Sequence, residues 1–412
     1  MTPAMTDRPF DIVLWGATGF TGRLVAEYLV KHHLDDGLKL ALAGRNEKKL
    51  EEIRAGLGPK AKDLPLLLGD SFDEEALSSI AQRATVVCTT VGPYAKYGEA
   101  LVDACVRHGT HYCDLTGETQ FIRRMVDRHH EAAKRSGARI VHCCGFDSIP
   151  SDLGTWMMQE EMHRRHGVYA KEVRFYAGES KGGFSGGTLA SMLNLMEEIR
   201  RDPSLRKVVG HPYALNPEGE REGPDGSDPM GVEKDPYVDQ WTGPFVMAAI
   251  NTRVVRRSHA LRGYPWGKGF RYSERMTFGS GAKGSVAAAA VAGGMAAFLG
   301  AASVEVGRKV LSRLLPPGEG PDAKAREEGF FKIRFVAIAD TDAGEVELRG
   351  LVVGQNDPGY GETSKMLGEA AVCLAKDPLD SEPGVTTPSV AMGPHLIERL
   401  RAAGMTFEVK DR

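Results

Sequence analysis

Residues 11–22 read Asp-Ile-Val-Leu-Trp-Gly-Ala-Thr-Gly-Phe-Thr-Gly (DIVLWGATGFTG). An apolar run over 11–15 stops at Gly16. Beyond it, Phe20, Leu24, Val25, Tyr28 and Leu29 recur at helical spacing through residue 31. The reading is strand, tight turn, helix. Gly16 lets the chain turn sharply, Gly19 lets backbone approach a diphosphate, and Gly22 lets the helix lie close to the strand. Free N–H groups at the helix start, aligned with its dipole, then face an anion. The stretch predicts a dinucleotide site, with Thr18, Phe20 and Thr21 joining the three glycines as cofactor contacts.

The same rhythm continues outward. Strands are predicted over 39–43, 64–68, 85–90, 110–115 and 139–144. Helices are predicted over 46–54 (capped by Asn46), from the Asp73 cap to residue 83, and over 99–108 and 118–136. Six strands separated by helices at short spacing need right-handed parallel crossovers. The fold class is therefore α/β, with an N-terminal Rossmann-type doubly wound parallel sheet over residues 1–150.

After Pro150 the rhythm changes. A helix is expected over 151–165, a strand over 172–177, a glycine-rich turn over 182–187 and a helix over 188–200. Residues 203–236 hold six prolines and five glycines without a period, which reads as a lid, a binding loop or an insert. Residues 313–329 read as a second loop, and 330–339 with 344–353 as a hairpin. Helices over 363–375 and near 395–403 close the chain. This predicts a second α+β domain over 151–353, for substrate or dimerisation, and a C-terminal helical segment over 354–412 returning to the first domain.

The 412 residues carry a net charge of -3, with 42% apolar and 26% charged, as in an ordinary globular protein. No basic excess supports a nucleic-acid partner. The six cysteines have no metal-ligand spacing and read as buried thiols of a reducing cytosol. The pairs His32-His33 and His129-His130 have no Cys or acid at ligand spacing. They read as solvent-facing helix positions, and no metal is expected. Residues 1–10 lack the pattern of a signal peptide, so a cytoplasmic location is expected. Residues 284–304 are 21 positions without a charge, long enough to cross a bilayer. Nine are Ala and four are Gly, so the apolar drive is weak. A packed helix is the first reading, a peripheral membrane or lipid contact the second, and a span the third.

The end of the second strand selects the cofactor. It reads Ala43-Gly44-Arg45-Asn46, without the acid that holds the ribose hydroxyls of NAD. Arg45 instead suits a 2′-phosphate, predicting NADP(H). Further contacts are expected at successive strand ends: Asp70 and Ser71, then Val91, Gly92 and Pro93, then the 114–118 loop, then Gly145 and Phe146.

With these residues in place, the chain resembles the saccharopine dehydrogenase-like oxidoreductases, closest to their bacterial trans-acting enoyl reductase branch. The resemblance rests on 16–22 (GATGFTG), 43–46 (AGRN), 91–98 (VGPYAKYG), 104–118 (ACVRHGTHYCDLTGE) and 144–154 (CGFDSIPSDLG). It continues at 182–191 (GGFSGGTLAS) and 357–369 (DPGYGETSKMLGE). It implies an NADP-binding domain, a second α+β domain, and reduction of a carrier-bound enoyl chain during lipid or polyketide assembly. An acyl carrier domain becomes the expected partner, and a homodimer an expected assembly.

Such a reaction needs donors for a developing oxyanion and a proton for the α-carbon. Tyr94 and Tyr97, just past the fourth strand, are candidate phenol donors, and Asp147 is counted with them as catalytic. Ser148 and the helix start at Gly186, Gly187 and Thr188 are candidate substrate contacts. One alternative is saccharopine- or opine-type reduction of an imine between amino acids, with Arg253, Arg256 and Arg257 supplying charge for its carboxylates. The other is a lipid-associated NADP-binding protein without catalysis.

Overall fold

The computed structural model describes residues 8–182, 186–314 and 320–411. The chain opens β1 (Phe10–Trp15), α1 (Phe20–His32), β2 (Leu40–Gly44), α2 (Glu47–Gly56), β3 (Leu66–Leu68), α3 (Glu74–Arg83), β4 (Ala84–Thr89) and α4 (Tyr94–Tyr97). It continues α5 (Glu99–His108), β5 (His111–Cys113), α6 (Thr119–Ser136), β6 (Arg139–Val141), α7 (Ile149–His166), β7 (Glu172–Lys181), α8 (Gly186–Arg201) and α9 (Leu205–Gly210). Then follow β8 (Glu233–Asp235), β9 (Gln240–Pro244), α10 (Ala248–Leu261), β10 (Arg271–Thr277), α11 (Ala282–Ser303), α12 (Glu305–Leu314) and α13 (Ala323–Glu327). The last elements are β11 (Phe330–Thr341), β12 (Gly344–Gly354), α14 (Gly361–Lys376), β13 (Gly384–Thr386), α15 (Pro388–Ala402) and β14 (Thr406–Asp411).

The first sheet is parallel throughout, in the order β13-β6-β5-β4-β1-β2-β3. Both faces are covered, so its strands read as almost unbroken apolar runs. Ile12, Val13, Leu14, Ala41, Leu42, Val86 and Val87 are fully buried, each larger one contributing roughly 1.5–3 kcal/mol. Asn46 and Asp73 cap their helices by accepting from Lys49 N–H and Ala76 N–H. Helices α5, α6 and α7 each stop at a left-handed glycine. Strand order reverses at β1, whose Trp15 pairs with Ala43 on one side and Thr89 on the other. The ends of β1, β2 and β4 therefore line up around the crevice where such sheets bind ligands.

The second sheet runs β14-β12-β11-β7-β10-β9-β8, with only β7 and β10 parallel. Helices α7 and α10 lie across it. The segment after β12 divides between the sheets. Helix α14 packs on α1, β1, β4 and β5, and β13 extends the first sheet beyond β6. Strand β14 pairs with β12 at the edge of the second.

Several elements differ from the sequence reading. Helix α10 had no legible stripe because it is buried nearly all round: its buried residues include Asn251, Thr252, Arg253, Arg256, Arg257 and His259. The stretch 203–236 holds α9 and β8, and 313–329 holds the end of α12 and all of α13. The closing helix is longer than expected, and kinked at Gly393, one residue before Pro394. The paired histidines are not all solvent-facing. His33 bonds Glu369 at 2.7 Å, His129 is buried, and His130 reaches Val385. All six cysteines are free and buried.

Helix α11 overturns the first reading of 284–304. Only 11% of its most apolar window is buried. Its buried residues are Gly284, Ala288 and Ala302 alone.

Candidate active site

The glycine loop builds an anion cradle by steric necessity. Gly16 sits at φ +90°, and a Cβ there would lie 2.5 Å from Val91 Cγ2. A Cβ on Gly22 would lie 2.1 Å from the Gly16 carbonyl oxygen, so helix and turn touch backbone to backbone. Thr90 Oγ1 donates to that same carbonyl at 3.3 Å, tying the end of β4 to the turn. No side chain caps α1 at Gly19, and no acid occupies its first turn. Its opening N–H groups thus face outward in a field that favours a diphosphate. Thr18 and Thr21 are half-buried in this loop. The Phe20 ring turns away, packing edge-on against Tyr360 at 4.7 Å, with the Arg326 guanidinium on it. Phe20 therefore offers the cofactor its backbone, while its ring holds the loop.

Arg45 projects from the end of β2, exposed, with no hydrogen bond or ion pair to any described residue. Asp70 turns inward on its own loop, accepting from Phe72 N–H at 3.1 Å. Ser71 borders a cleft of about 420 Å³ shared with Phe72, Lys96 and Tyr97. Phe72 is 72% exposed and meets Tyr97 edge-on at 5.7 Å. A large apolar ring held open beside Ser71 suits a flat base. The sequence reading passed over it, although an aromatic in the polar run Asp70-Ser71-Phe72-Asp73-Glu74 was the available signal.

The fourth strand end corrects one expectation. Tyr94 is buried, and its hydroxyl donates to the Thr89 carbonyl at 3.2 Å, with the ring against Phe121. Burial pushes this phenol well above its ordinary pKa. Tyr94 is a packing residue that shapes the crevice floor, and its hydroxyl is not available to a substrate. Tyr97 is half-buried on the Phe72 side. Val91 N–H donates to Thr89 Oγ1 at 3.2 Å, leading into Gly92 and Pro93. Glu118 then clamps this turn. Its carboxylate accepts from Tyr94 N–H and Ala95 N–H, both at 2.8 Å, and from Ser191 Oγ at 2.7 Å on α8.

The ends of β5 and β6 carry the acidic chemistry. Asp114 accepts from Tyr112 OH at 2.9 Å, His142 Nδ1 at 2.7 Å, Thr116 N–H at 3.1 Å and Cys143 N–H at 3.2 Å. Phe146 N–H donates to Thr363 Oγ1 at 3.1 Å, joining the Gly145 turn to α14. Asp147 is buried, and its Oδ2 has no hydrogen-bond partner among the described residues. Burial, reinforced by the Asp114 charge, raises its carboxyl to about 8. Ser148, fully buried, donates to Asn251 Oδ1 at 3.0 Å.

At the start of α8, Gly186 N–H donates to Tyr360 OH at 3.1 Å, while Gly187 is exposed and Thr188 half-buried. Residues 183–185 of the glycine-rich turn lie outside the described residues. The three arginines expected to meet substrate carboxylates are otherwise engaged. Arg253 pairs with Asp228, and Arg256 bonds Asp225 at 2.8 Å and the Pro212 carbonyl at 2.9 Å. Arg257 reaches the Leu215 and Val385 carbonyls. All three are buried and pin the 211–232 loop to α10.

Comparison with known proteins fits this geometry. Residues 12–141 match the family model of the saccharopine dehydrogenase NADP binding domain. A trans-acting enoyl reductase of Mycobacterium bovis is 39% identical over 430 residues, covering 99% of each chain. The chain belongs to the trans-acting enoyl reductases of the saccharopine dehydrogenase-like family. A Mycobacterium tuberculosis relative named for the same activity is 41% identical over 415 residues, covering 98% of each chain. A Mycobacterium ulcerans trans-acting enoyl reductase is 39% identical, covering 97% of each. Among solved structures, an amine dehydrogenase from Mycobacterium smegmatis aligns over 92% of this chain and 95% of its own. Its TM-score is 0.41 at 13% identity, a distance at which the likeness carries no functional weight. This family member is an NADP-dependent oxidoreductase, and NADP(H) is its cofactor.

Proposed function

We propose that this family member is an NADPH-dependent enoyl reductase that acts in trans on a carrier-bound unsaturated acyl chain, in lipid or polyketide assembly. The observation that supports this most directly is Asp147, a buried carboxyl with an unpartnered oxygen, raised to about 8, at the carboxyl end of the parallel sheet. Such a group stays protonated at neutral pH and has a proton to give. Bound along the crevice, NADPH supplies the hydride.

The chain's own residues supply the rest. The N–H groups of α1 hold the diphosphate. Arg45 holds the 2′-phosphate, and Phe72 with Ser71 borders the base. Asp147 delivers the proton to the α-carbon of the reduced chain. The exposed Gly187 at the start of α8 offers an N–H toward the thioester oxygen, where charge builds as the β-carbon is reduced. Glu118 fixes the distance between that helix and the β4 turn through Ser191 and Tyr94. The opine alternative loses its support, because Arg253, Arg256 and Arg257 are committed to structure. Mixing the protein with NADPH and an enoyl thioester tests the reading. Oxidation of NADPH with formation of the saturated thioester is expected, and NADPH binding without reduction of any chain length refutes it.

A second observation favours a lipid surface as the workplace of this enzyme. Among the described residues, five of the eight exposed large apolar side chains, Val286, Leu299, Val304, Val306 and Val310, lie on or beside α11 and α12. Helix α11 carries no charge after Lys283, and the side away from its buried Gly284, Ala288 and Ala302 is an uncharged face open to a lipid surface. Arg308 of α12 pairs with Glu197 of α8, which returns the chain to the body it left and favours peripheral contact over a span. Deleting 284–304 should release the protein from sedimenting lipid vesicles, and equal sedimentation of both forms removes this reading.

A further inference from the structure

Behind Asp147, the interior holds a second carboxyl that the proposed chemistry does not use. Glu274 on β10 is fully buried. Its Oε1 accepts from Tyr272 OH at 2.7 Å and its Oε2 from Asn251 Nδ2 at 3.0 Å. Asn251 in turn accepts the Ser148 hydroxyl proton at 3.0 Å. Ser148 and Asp147 are consecutive, and the buried Cys143 thiol, which donates to the Thr116 carbonyl at 2.9 Å, stands beside both. A buried hydrogen-bonded line thus runs from Glu274 through Asn251 to Ser148, and ends beside Cys143 and Asp147. It joins the end of β6 in the first sheet to β10 in the second.

The polarity of this line is set at its far end. An ionised carboxylate only accepts. It therefore draws the amide N–H of Asn251, leaves the amide oxygen for Ser148, and commits the Ser148 proton away from Asp147. A protonated Glu274 donates instead. Asn251 then turns its oxygen to Glu274 and its N–H to Ser148, which frees the Ser148 proton to point toward Cys143 and Asp147. We infer that Glu274 is a positioning residue of the active site, which sets through Asn251 the direction of the Ser148 hydroxyl and so the ease with which Asp147 gives up its proton.

The inference rests on the role proposed for Asp147, but its geometry can be read without turnover. The groups facing Glu274 are Tyr272 on its own strand, Ser151 on α7, Asn251 on α10 and Asp228 in the loop, itself paired with Arg253. Burial lifts Glu274 to about 7, so both protonation states are reachable near neutral pH.

The test is an infrared titration of the buried protonated carboxyls in the NADPH-free full chain, with Asp147→Asn identifying the Asp147 band. Glu274→Gln, an uncharged donor in the same place, should lower the pH at which Asp147 ionises by about one unit, because a hydrogen bond to the carboxylate favours it. In a Ser148→Ala background the same substitution should leave the Asp147 band unmoved. If Glu274→Gln does not fold, Asn251→Ala should uncouple the two bands by itself. An Asp147 midpoint that is equal in wild type and variant, or a shift that survives Ser148→Ala, overturns the inference. The kcat profile with an enoyl thioester should move by the same amount. A wild-type protein that reduces no enoyl thioester refutes the proposed function, while the infrared bands still decide the coupling.

Discussion

A Cβ on Gly22 would stand 2.1 Å from the carbonyl oxygen of Gly16. The first turn of α1 and the turn after β1 are therefore one rigid object, which also places the N–H groups proposed to hold the diphosphate. Gly22→Ala forces them apart. NADPH affinity should fall at least about tenfold, a loss of roughly 1.4 kcal/mol, with a lower melting temperature. Fluorescence titration with NADPH and a thermal melt check both. Unchanged affinity would detach the glycine loop from the cofactor.

Arg45 is exposed with no partner among the described residues, at the end of β2 where the proposed site places the 2′-phosphate. Arg45→Ala should weaken NADPH by about tenfold or more, the scale of one charge-assisted contact, and leave NADH affinity unaltered. Parallel titrations with the two nucleotides measure the ratio. Equal losses would return Arg45 to the solvent.

Asp147 gives two pH signatures. Its carboxyl must carry a proton to donate one, so reduction should decline as pH rises through about 8. Asp147→Asn should lower kcat by about 10²–10⁴-fold while NADPH still binds. The stability sign follows from the same shift. The folded carboxyl titrates above its unfolded value, so its contribution to stability is full below the ordinary carboxylate range. It is lost progressively as pH climbs from there to about 8. Denaturant melts at several pH values should show this decline in wild type and its absence in Asp147→Asn.

Arg257 is buried with no ion pair among the described residues, and burial with the nearby Arg123 charge lowers it to about 9 against the opposing pull of Asp127. Its guanidinium holds the Leu215 and Val385 carbonyls, so it joins the 211–232 loop, α10 and β13. Arg257→Ala leaves two carbonyls unmet and should cost about 2–4 kcal/mol. Limited proteolysis should then cut within 211–232. A variant as stable and as resistant as wild type would show that the loop is held elsewhere.

The first sheet was legible because its strands are buried on both faces and its helices carry caps and terminal glycines that local chemistry dictates. Its seventh strand was not. β13 is three residues long, comes from the other end of the chain, and gains meaning only by pairing with β6. The cofactor loop could be read residue by residue, since Gly16 and Gly22 are demanded by contacts a few positions away. Tyr94 could not, because its burial depends on Phe121 and on the packing of α5 and α6. The three arginines of α10 misled for the same reason. Arginine in sequence suggests a ligand for carboxylates, and only tertiary structure shows that Asp225, Asp228 and backbone carbonyls already occupy them. Helix α11 misled in the opposite sense: its small residues suggested packing, and the fold buries only Gly284, Ala288 and Ala302 among them.

The most direct test of the account follows the hydride. NADPH deuterated at the nicotinamide C4 is mixed with the protein and a carrier-bound enoyl thioester, and the product is examined by mass spectrometry and NMR. Deuterium should appear on the β-carbon of a saturated thioester, with a solvent proton on the α-carbon. At limiting NADPH it should fall with Gly22→Ala as the affinity falls, and it should slow severely with Asp147→Asn. Recovery of unreduced thioester beside intact, bound NADPH would contradict it.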